Sequence, residues 1–232
     1  MISWLDIYNE GAWSTSFLAP SRLCSSFHVY HLKQMAASTR ASDSTRLKIL
    51  DAGCGDCGNS QFLLECGYEV YGVDIHRSDR IVEISLGPHK SSFCFIESDL
   101  GSVPLPDHYF DAILCDGVLY YNSLDSFICQ LREMRRLLKL TGSVFRFSVK
   151  EVSDQLFFGT KNTPSVDFIE TTCNSGWEKG LPILGFSKDY LLQILNDIFY
   201  GGHITIGFDF FHYASDNFSS GHRFLVVTVK FD

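Results

Sequence analysis

This sequence of 232 residues contains no run of about 18 consecutive apolar residues, the length that a membrane-spanning helix needs. It has no block of lysine and arginine, and its formal net charge is −8. Residues 1–6 lack the charged and apolar regions that open a secretory signal peptide. We therefore expect a cytoplasmic protein without a membrane partner, and we do not expect it to bind nucleic acid.

The eight cysteines lack the arrangement of a zinc site. Most of them lie among apolar neighbours in predicted strands or helices, which is typical of reduced core cysteines in cytosolic proteins. Cys54 and Cys57 form a C-x-x-C pair, but no second pair, suitably spaced histidines or thioredoxin-like context accompanies it. We interpret the pair as two small residues in a loop, and we predict no metal site.

The sequence does contain an alternation of short apolar runs with amphipathic segments. The apolar runs predict five strands, at 47–52, 69–74, 93–97, 110–115 and 143–149. Between them we expect helices from about residue 59 to 66, over 77–86 and over 122–140, the last capped by Asn122. This order predicts a parallel sheet with helices on both faces.

The two ends of the chain depart from the alternation. Residues 1–46 are rich in aromatic side chains and predict an N-terminal helical cap, either docked on the domain or closing over a ligand as a lid. Residues 47–232 form the main domain, within which 150–186 is expected to be a substrate-side insertion or lid. After a helix that begins at Ser187, two strands at 203–211 and 223–231 predict an antiparallel edge hairpin.

The loop after the first predicted strand carries the most specific signal. Asp51 ends that strand, and glycines follow at 53, 55 and 58. Gly53 and Gly55 let the backbone approach a ligand, and Gly58 lets the next helix pack on the sheet. Enzymes that bind NAD or FAD use the same glycine pattern, so the loop alone does not decide the ligand.

Acidic residues at the strand ends favour a ligand without phosphate. Asp56 lies inside the loop, where it would repel a pyrophosphate, and no P-loop lysine is present to hold a triphosphate. A ligand with sulfonium and ammonium groups would instead be attracted to these carboxylates. Asp74 can accept both ribose hydroxyls, while Asp99 and Leu100 can contact an adenine through a carboxylate and a backbone N–H. Each aspartate alone could be a turn or cap residue.

With these residues, the sequence resembles the class I S-adenosylmethionine-dependent methyltransferases over residues 47–149. The resemblance rests on Ile-Leu-Asp-Ala-Gly-Cys-Gly (49–55), Val-Tyr-Gly-Val-Asp-Ile (70–75), Ser-Asp-Leu (98–100), Phe-Asp-Ala-Ile-Leu-Cys-Asp-Gly-Val-Leu-Tyr-Tyr (110–121) and Glu-Met-Arg-Arg-Leu-Leu-Lys-Leu-Thr-Gly-Ser (133–143). It implies an α/β, Rossmann-like fold with a seven-stranded, mostly parallel sheet. The implied strand order is three-two-one-four-five-seven-six, with strand seven antiparallel.

The resemblance also implies S-adenosylmethionine as the cofactor, held at the carboxyl ends of the first four strands. The implied cofactor-binding residues are Asp51, Gly53, Cys54, Gly55, Asp74, Ile75, Asp99, Leu100, Cys115 and Asp116. Asp51 and the glycine loop would hold the methionine end together with Cys115 and Asp116, and Asp74 would hold the ribose. Asp99 and Leu100 would hold the adenine.

Three positions depart from the family pattern. Cys57 stands where a third glycine is common, so we expect a narrower loop, and residues 140–142 read Leu-Thr-Gly where Lys-Pro-Gly is commoner. The fourth strand is followed by Cys-Asp-Gly-Val at 115–118, not by Asn-Pro-Pro-Tyr or Asp-Pro-Pro-Tyr. That difference argues against methylation of an amide or an exocyclic base amine.

Methyl transfer requires alignment of the reacting atoms and exclusion of water, so no catalytic residue is obligatory. A general base helps only when the acceptor carries a proton at neutral pH. The candidates in this sequence are Tyr120, Tyr121, His28, His31 and His212, and none of them is singled out. Tyr121 is expected to line the pocket.

Aromatic side chains outside the family pattern favour a small, partly apolar or aromatic acceptor, methylated on oxygen or nitrogen. They lie in residues 1–46, in 150–186 and in 208–213, and some of the 20 phenylalanines are expected to line the pocket. Three alternatives stay open: a protein methyltransferase, a non-catalytic regulator that binds S-adenosylmethionine, and an NAD-dependent oxidoreductase. The oligomeric state does not follow from the sequence.

Overall fold

The computed structural model describes residues 46–154, 157, 167–173, 179–215 and 218–232, without the side chains of residues 209–221. The predicted cap at 1–46 therefore lies outside the described residues except for Arg46. Parts of the 150–186 insertion also lie outside them. Both domain boundaries stay predictions.

Five parallel strands form the centre of the sheet, in the spatial order β3-β2-β1-β4-β5. They are β1 (Lys48–Ala52), β2 (Glu69–Asp74), β3 (Phe93–Glu97), β4 (Ala112–Cys115) and β5 (Ser143–Glu151). The predicted bounds of β2 and β3 are confirmed. β4 starts later than predicted, because Phe110 makes only an isolated bridge to Leu138 before the ladder with β1 begins at Ala112.

Two further strands come from the predicted insertion. They are β6 (Phe168–Thr172) and β7 (Pro182–Phe186). β7 pairs in parallel with the last residues of β5, Lys150 with Gly185 and Glu151 with Phe186, and β6 lies antiparallel to β7. β5 runs on beyond the end of its ladder with β4, which pairs only as far as Phe147, and this extension supplies the edge on which β7 pairs.

The chain closes with the predicted hairpin, formed by β8 (His203–Ser215) and β9 (Phe218–Phe231). β9 lies antiparallel to β5 from Ser143 opposite Phe231 to Lys150 opposite Phe224, and β8 lies antiparallel to β9. The order five-seven-six implied by the resemblance is thus present as β5-β9-β8. With β6 and β7, the described residues form a sheet of nine strands, where seven were implied.

The described helices are α1 (Gly58–Glu65), α2 (Asp79–Leu86), α3 (Leu124–Leu137) and α4 (Lys188–Ile198). Ser123 caps α3, since its side chain accepts a hydrogen bond from the backbone N–H of Ser126. The prediction of Asn122 as the cap was wrong, because the Asn122 amide instead hydrogen-bonds Leu119 and Gln130. α3 ends earlier than predicted, at Leu137, where the next residue turns to bridge Phe110. None of these helices has both the length and the apolar character that a bilayer crossing requires.

The core uses many of the phenylalanines. The rings of Phe145 and Phe147 stack at 4.8 Å between centroids, and those of Phe127 and Phe186 meet at 4.7 Å. Within the part of the chain that the structure describes, the fully buried phenylalanines are Phe110, Phe127, Phe145, Phe147, Phe186 and Phe199. Burial of each ring contributes roughly 1.5–3 kcal/mol, so these side chains stabilise the sheet and its helices. Because they are fully buried, they do not line an open pocket.

Replacing Ser123 with alanine should lower the free energy of unfolding by about 1 kcal/mol, because the Ser126 amide loses its acceptor. Ser123→Asp is the matched control, since it keeps a side-chain oxygen at the cap and should retain most of the wild-type stability. Urea denaturation followed by circular dichroism measures both variants. An alanine variant as stable as the wild type would contradict this assignment of the cap.

Candidate active site

The glycine loop is fastened to the end of β2 by the backbone. The N–H groups of Gly53 and Cys54 both donate to the carbonyl of Val73, at 2.7 and 3.0 Å. Gly53 has φ +73°, and Cys57, at the position where glycine is common, has φ +60° in the left-handed region. The Cys57 side chain is wholly buried in the core beneath the loop.

Gly53 is held against the loop that follows β4. A Cβ atom at this position would lie 2.4 Å from Cγ2 of Val118, which is closer than real Cβ contacts come. The two loops at the carboxyl ends of β1 and β4 therefore pack with no room for a side chain at residue 53. This contact brings the expected methionine end of the site next to Asp116.

Asp74 lies at the end of β2, as predicted, and shapes the glycine loop from there. Its Oδ2 accepts a hydrogen bond from the Gly55 N–H at 2.8 Å, and its Oδ1 accepts one from the His76 N–H at 3.3 Å. Burial raises the pKa of Asp74, while these backbone donors oppose the rise. The carboxylate proposed for the ribose is therefore also the group that orders the loop.

Asp51 is almost completely buried at the end of β1. Its Oδ2 accepts a hydrogen bond of 2.6 Å from the hydroxyl of Ser60, in the first turns of α1. Burial raises the pKa of Asp51 to about 7, and the negative charges of Asp116 and Asp74 add to the rise. Sequence reasoning missed Ser60, because a serine inside a helix gives no sign of its partner.

Asp116 follows β4 and is held by β5. The Ser148 hydroxyl donates to Oδ1 of Asp116 at 2.6 Å, and the Gly117 N–H donates to the Ser148 oxygen at 3.2 Å. Sequence reasoning missed Ser148 as well, although a serine between two buried apolar residues of a strand was a signal. Cys115 lies in the core with its thiol pKa raised well above its usual value by burial. Only the backbone of Cys115 can therefore face a ligand.

The predicted adenine residues occupy the turn after β3. Oδ1 of Asp99 accepts a hydrogen bond from the Gly101 N–H at 2.7 Å, and the Asp99 side chain is exposed. The Leu100 side chain is buried in the core, so its backbone is the part that could meet a ligand. Ile75, after β2, is 42% exposed and forms an apolar rim at the same edge of the sheet.

Tyr120 and Tyr121 follow Asp116 and are both buried. Their hydroxyl oxygens lie 3.3 Å apart, and their ring centroids are 4.2 Å apart. The Tyr120 carbonyl also accepts a hydrogen bond from the Leu184 N–H, so the turn after β4 is fixed to β7. Of the other candidate bases, His28 and His31 lie outside the described residues, as does the side chain of His212.

Comparison with known proteins identifies a family model and a relative that are similar to this chain. Residues 50–145 match the family model described as a methyltransferase domain. A curated relative, the uncharacterized methyltransferase YodH of Bacillus subtilis, is 26% identical over 170 residues, which cover 69% of this chain and 68% of the relative.

Two solved structures share the fold. The 1,6-didemethyltoxoflavin-N1-methyltransferase of Burkholderia thailandensis, with bound 1,6-didemethyltoxoflavin and S-adenosylhomocysteine, aligns with a TM-score of 0.64 at 18% identity. The alignment covers 98% of this chain and 85% of that one. A SAM-dependent methyltransferase of Methanosarcina mazei aligns with a TM-score of 0.59 at 18% identity, over 84% of this chain and 97% of that one.

Gly53→Ala should destabilise the protein by more than the about 1 kcal/mol expected for an alanine in the left-handed region, because its Cβ meets Val118. Gly67→Ala is the matched control, since Gly67 has φ +88° but nothing within 4 Å of the added Cβ. Urea denaturation measures both, and Val118→Ala should recover part of the loss in the Gly53→Ala background. Equal losses at the two glycines would contradict the close contact.

Asp51 should make the folded state less stable as the pH rises. The folded state holds its proton up to about pH 7, whereas an unfolded aspartate loses it near pH 4, so the folded state binds more protons between these values. The free energy of unfolding should therefore fall across this window by at most roughly 4 kcal/mol, and Asp51→Asn should flatten the fall.

Urea denaturation at a series of pH values from 4.5 to about 8 measures this linkage. Asp197→Asn, at an exposed position of α4, is the control and should leave the pH dependence as it is in the wild type. Parallel curves for the wild type and Asp51→Asn would show that Asp51 titrates normally.

Proposed function

We propose that this chain, which belongs to the class I S-adenosylmethionine-dependent methyltransferases, transfers a methyl group to an oxygen or nitrogen of a small, partly apolar or aromatic acceptor. The observation that carries the proposal is the group of carboxylates at the ends of β1, β2 and β4. Asp51, Asp74 and Asp116 meet there around a loop held in shape by backbone hydrogen bonds.

The chemistry of these residues fits the cofactor of the family. Burial is the main cause of the raised pKa of Asp51, and the negative charges of Asp116 and Asp74 add to the rise because they repel the charge on Asp51. A ligand with a sulfonium and an ammonium group would relieve this repulsion, whereas a pyrophosphate would add to it. The charge balance therefore supports S-adenosylmethionine over a dinucleotide.

Each part of the cofactor has a proposed partner among the described residues. Asp51, Asp116 and the backbone of the glycine loop would hold the methionine end. Asp74 would accept hydrogen bonds from the ribose hydroxyls. Two backbone N–H groups fix the orientation of its carboxylate for this contact. Asp99 and the Leu100 backbone would hold the adenine, with Ile75 against its apolar face.

When bound, the cofactor supplies a methyl carbon already activated by the adjoining sulfonium. The chain would align the acceptor atom with the methyl carbon and exclude water from the site. The buried pair Tyr120 and Tyr121 forms a wall next to Asp116, and its link to β7 fixes this wall relative to the sheet. Such a wall would hold a flat or partly apolar acceptor and exclude water from the reacting atoms.

The small acceptor is supported by the relatives and not by any single residue. The Burkholderia thailandensis structure that shares this fold has 1,6-didemethyltoxoflavin bound, and it is named as an N1-methyltransferase. The departure at residues 115–118 from Asn-Pro-Pro-Tyr argues against an amide or a base amine as the acceptor. A hydroxyl group or a ring nitrogen is the acceptor that we propose.

Asp74→Ala should weaken S-adenosylmethionine binding about 10- to 100-fold, the effect of losing a hydrogen bond to a charged group. Isothermal titration calorimetry with S-adenosylmethionine, S-adenosylhomocysteine and NAD measures the affinities. Asp197→Ala, at an exposed position of α4 far along the sequence from the loop, is the control and should bind like the wild type. Binding of NAD alone would overturn the proposal.

A transfer assay with methyl-labelled S-adenosylmethionine then tests the acceptor. Phenols, N–H heterocycles and amines form one panel, and a denatured protein extract forms a second. Label in the first panel is the expected result. Label only in protein would identify a protein methyltransferase, and cofactor binding without transfer to either panel would identify a regulator.

A further inference from the structure

The segment that joins β3 to β4 carries the proposed adenine residues, and it depends on α3 for its shape. Residues 98–109 of this segment form turns and irregular backbone. Asp99 and Leu100 lie at its start. The side chains of Leu100 and Val103 anchor it in the core, at 5% and 3% exposure. Polar contacts from α3 hold the rest of the segment.

Arg136, near the end of α3, binds this segment at three points. Its Nη1 donates hydrogen bonds to the Leu105 carbonyl at 2.8 Å and to Oδ1 of Asp107 at 2.6 Å. Its Nη2 donates to the Val103 carbonyl at 3.0 Å. One guanidinium therefore holds the segment from Val103 to Asp107 against the helix.

Glu133, three residues earlier on α3, extends this grip toward the adenine residues. Its Oε1 accepts hydrogen bonds from the Val103 N–H at 2.7 Å and from Nη2 of Arg136 at 2.6 Å, and its Oε2 accepts one from Nε of Arg136 at 2.9 Å. The hydrogen bonds from Arg136 lower the pKa of Glu133, burial opposes the fall, and the Val103 N–H adds to it. Val103 is thus held at its N–H by Glu133 and at its carbonyl by Arg136.

The turn between Asp99 and Val103 lies directly against α3. The Gly101 N–H donates to Oδ1 of Asp99 at 2.7 Å. A Cβ atom added at Gly101 would lie 2.9 Å from that oxygen and 3.3 Å from Sγ of Cys129, so the turn is packed between the Asp99 carboxylate and the helix. A displacement of Val103 on α3 would therefore move this turn, and with it the Asp99 carboxylate and the Leu100 N–H.

Stability alone does not account for this arrangement. Arg136 and Asp107 are 32% and 63% exposed at their side chains, and such pairs contribute little to the free energy of unfolding. The helix is already anchored by its opposite face, where Leu131 and Met134 are wholly buried. Apart from Glu133, the acceptors of the guanidinium among the described residues all lie in the one irregular segment. Binding groups need a supporting shell that holds them to within about 0.5 Å, and irregular backbone does not supply it alone.

We propose that Glu133 and Arg136 are positioning residues of the adenine site, which hold the segment between β3 and β4 in the shape that presents Asp99 and Leu100 to the base. The inference deepens the proposed function and rests on it, because it requires adenosine to bind at this segment. It assigns specificity for the base to two side chains that act through the segment and take no part in methyl transfer.

The ligands S-adenosylhomocysteine and S-inosylhomocysteine isolate the adenine contact. They share the homocysteine and the ribose, but inosine has a carbonyl in place of the amino group and carries a hydrogen on the neighbouring ring nitrogen. Asp99 then loses its donor, and the Leu100 N–H loses its acceptor. Isothermal titration calorimetry should show that the wild type prefers the adenine ligand about 10- to 100-fold.

Arg136→Met should lower this preference about 10-fold, because the affinity for S-adenosylhomocysteine falls while that for S-inosylhomocysteine changes little. Arg136→Lys keeps the charge but lacks the fork of donors, so its preference should lie between those of Arg136→Met and the wild type. Arg132→Met, at an exposed position of the same helix, is the matched control and should keep the wild-type preference. Equal losses for both ligands would indicate a structural role only, and the proposal would then be wrong.

Hydrogen–deuterium exchange of the protein without ligand, followed by NMR at each amide, tests the same link in the backbone. Arg136→Met should speed exchange at Val103 and also at Gly101, whose N–H binds Asp99. Faster exchange confined to residues 103–107, with Gly101 as in the wild type, would contradict the proposal. Glu133→Gln, which keeps an oxygen for the Val103 N–H, gives the same comparison if Arg136→Met does not fold.

The outcomes distinguish this inference from the proposed function. If the wild type binds neither ligand, the proposed function fails, and the inference fails with it. If the wild type binds both ligands equally well, the base is not recognised at this segment, and only the inference fails. The same holds if Arg136→Met keeps the full preference of the wild type.

Discussion

The gathering of carboxylates at the carboxyl edge of the sheet is the constraint on which the rest of the site depends. Parallel strands bring Asp51, Asp74 and Asp116 together, and burying several negative charges is costly unless each is hydrogen-bonded. Each carboxylate has such a donor: the Ser60 hydroxyl, the Gly55 N–H and the Ser148 hydroxyl. The same hydrogen bonds hold α1, the glycine loop and β5 at the site. The groups that compensate the buried charges therefore also fix the local structure.

β5 extends this arrangement toward the acceptor. It is the strand that continues past its ladder with β4, and its last residues pair with β7 on one side and β9 on the other. Ser148 contacts the cofactor side through Asp116, and two residues later Lys150 contacts His222. Side chains two apart on a strand share a face. One face of one strand thus joins the proposed cofactor site to the cluster of Lys150, Asp154 and His222.

The sequence predicted the elements that local pattern determines and missed those that depend on distant partners. The bounds of β2 and β3 were predictable because apolar runs end there in glycine-containing or acidic turns. Asn122 and Ser123 are both favoured cap residues, so composition could not choose between them. β6 and β7 were missed because both are short runs that depend on distant partners: β7 pairs with the extension of β5, and β6 pairs with β7. Ser60 and Ser148 acquire roles only through carboxylates elsewhere in the chain.

The contact between His222 and Asp154 could not be predicted from the sequence for the same reason. Sixty-eight positions separate His222 from Asp154, and only the antiparallel register of β9 on β5 unites them. Residues 47–149, which carry the family resemblance, contain the cofactor carboxylates but neither of these two residues. The proposed cofactor residues could therefore be predicted from the sequence of residues 47–149 alone. The proposed acceptor side adds later segments to the turn that carries Tyr120 and Tyr121, because β7 binds the Tyr120 carbonyl through the Leu184 N–H and β9 contacts the Tyr120 ring through Phe224.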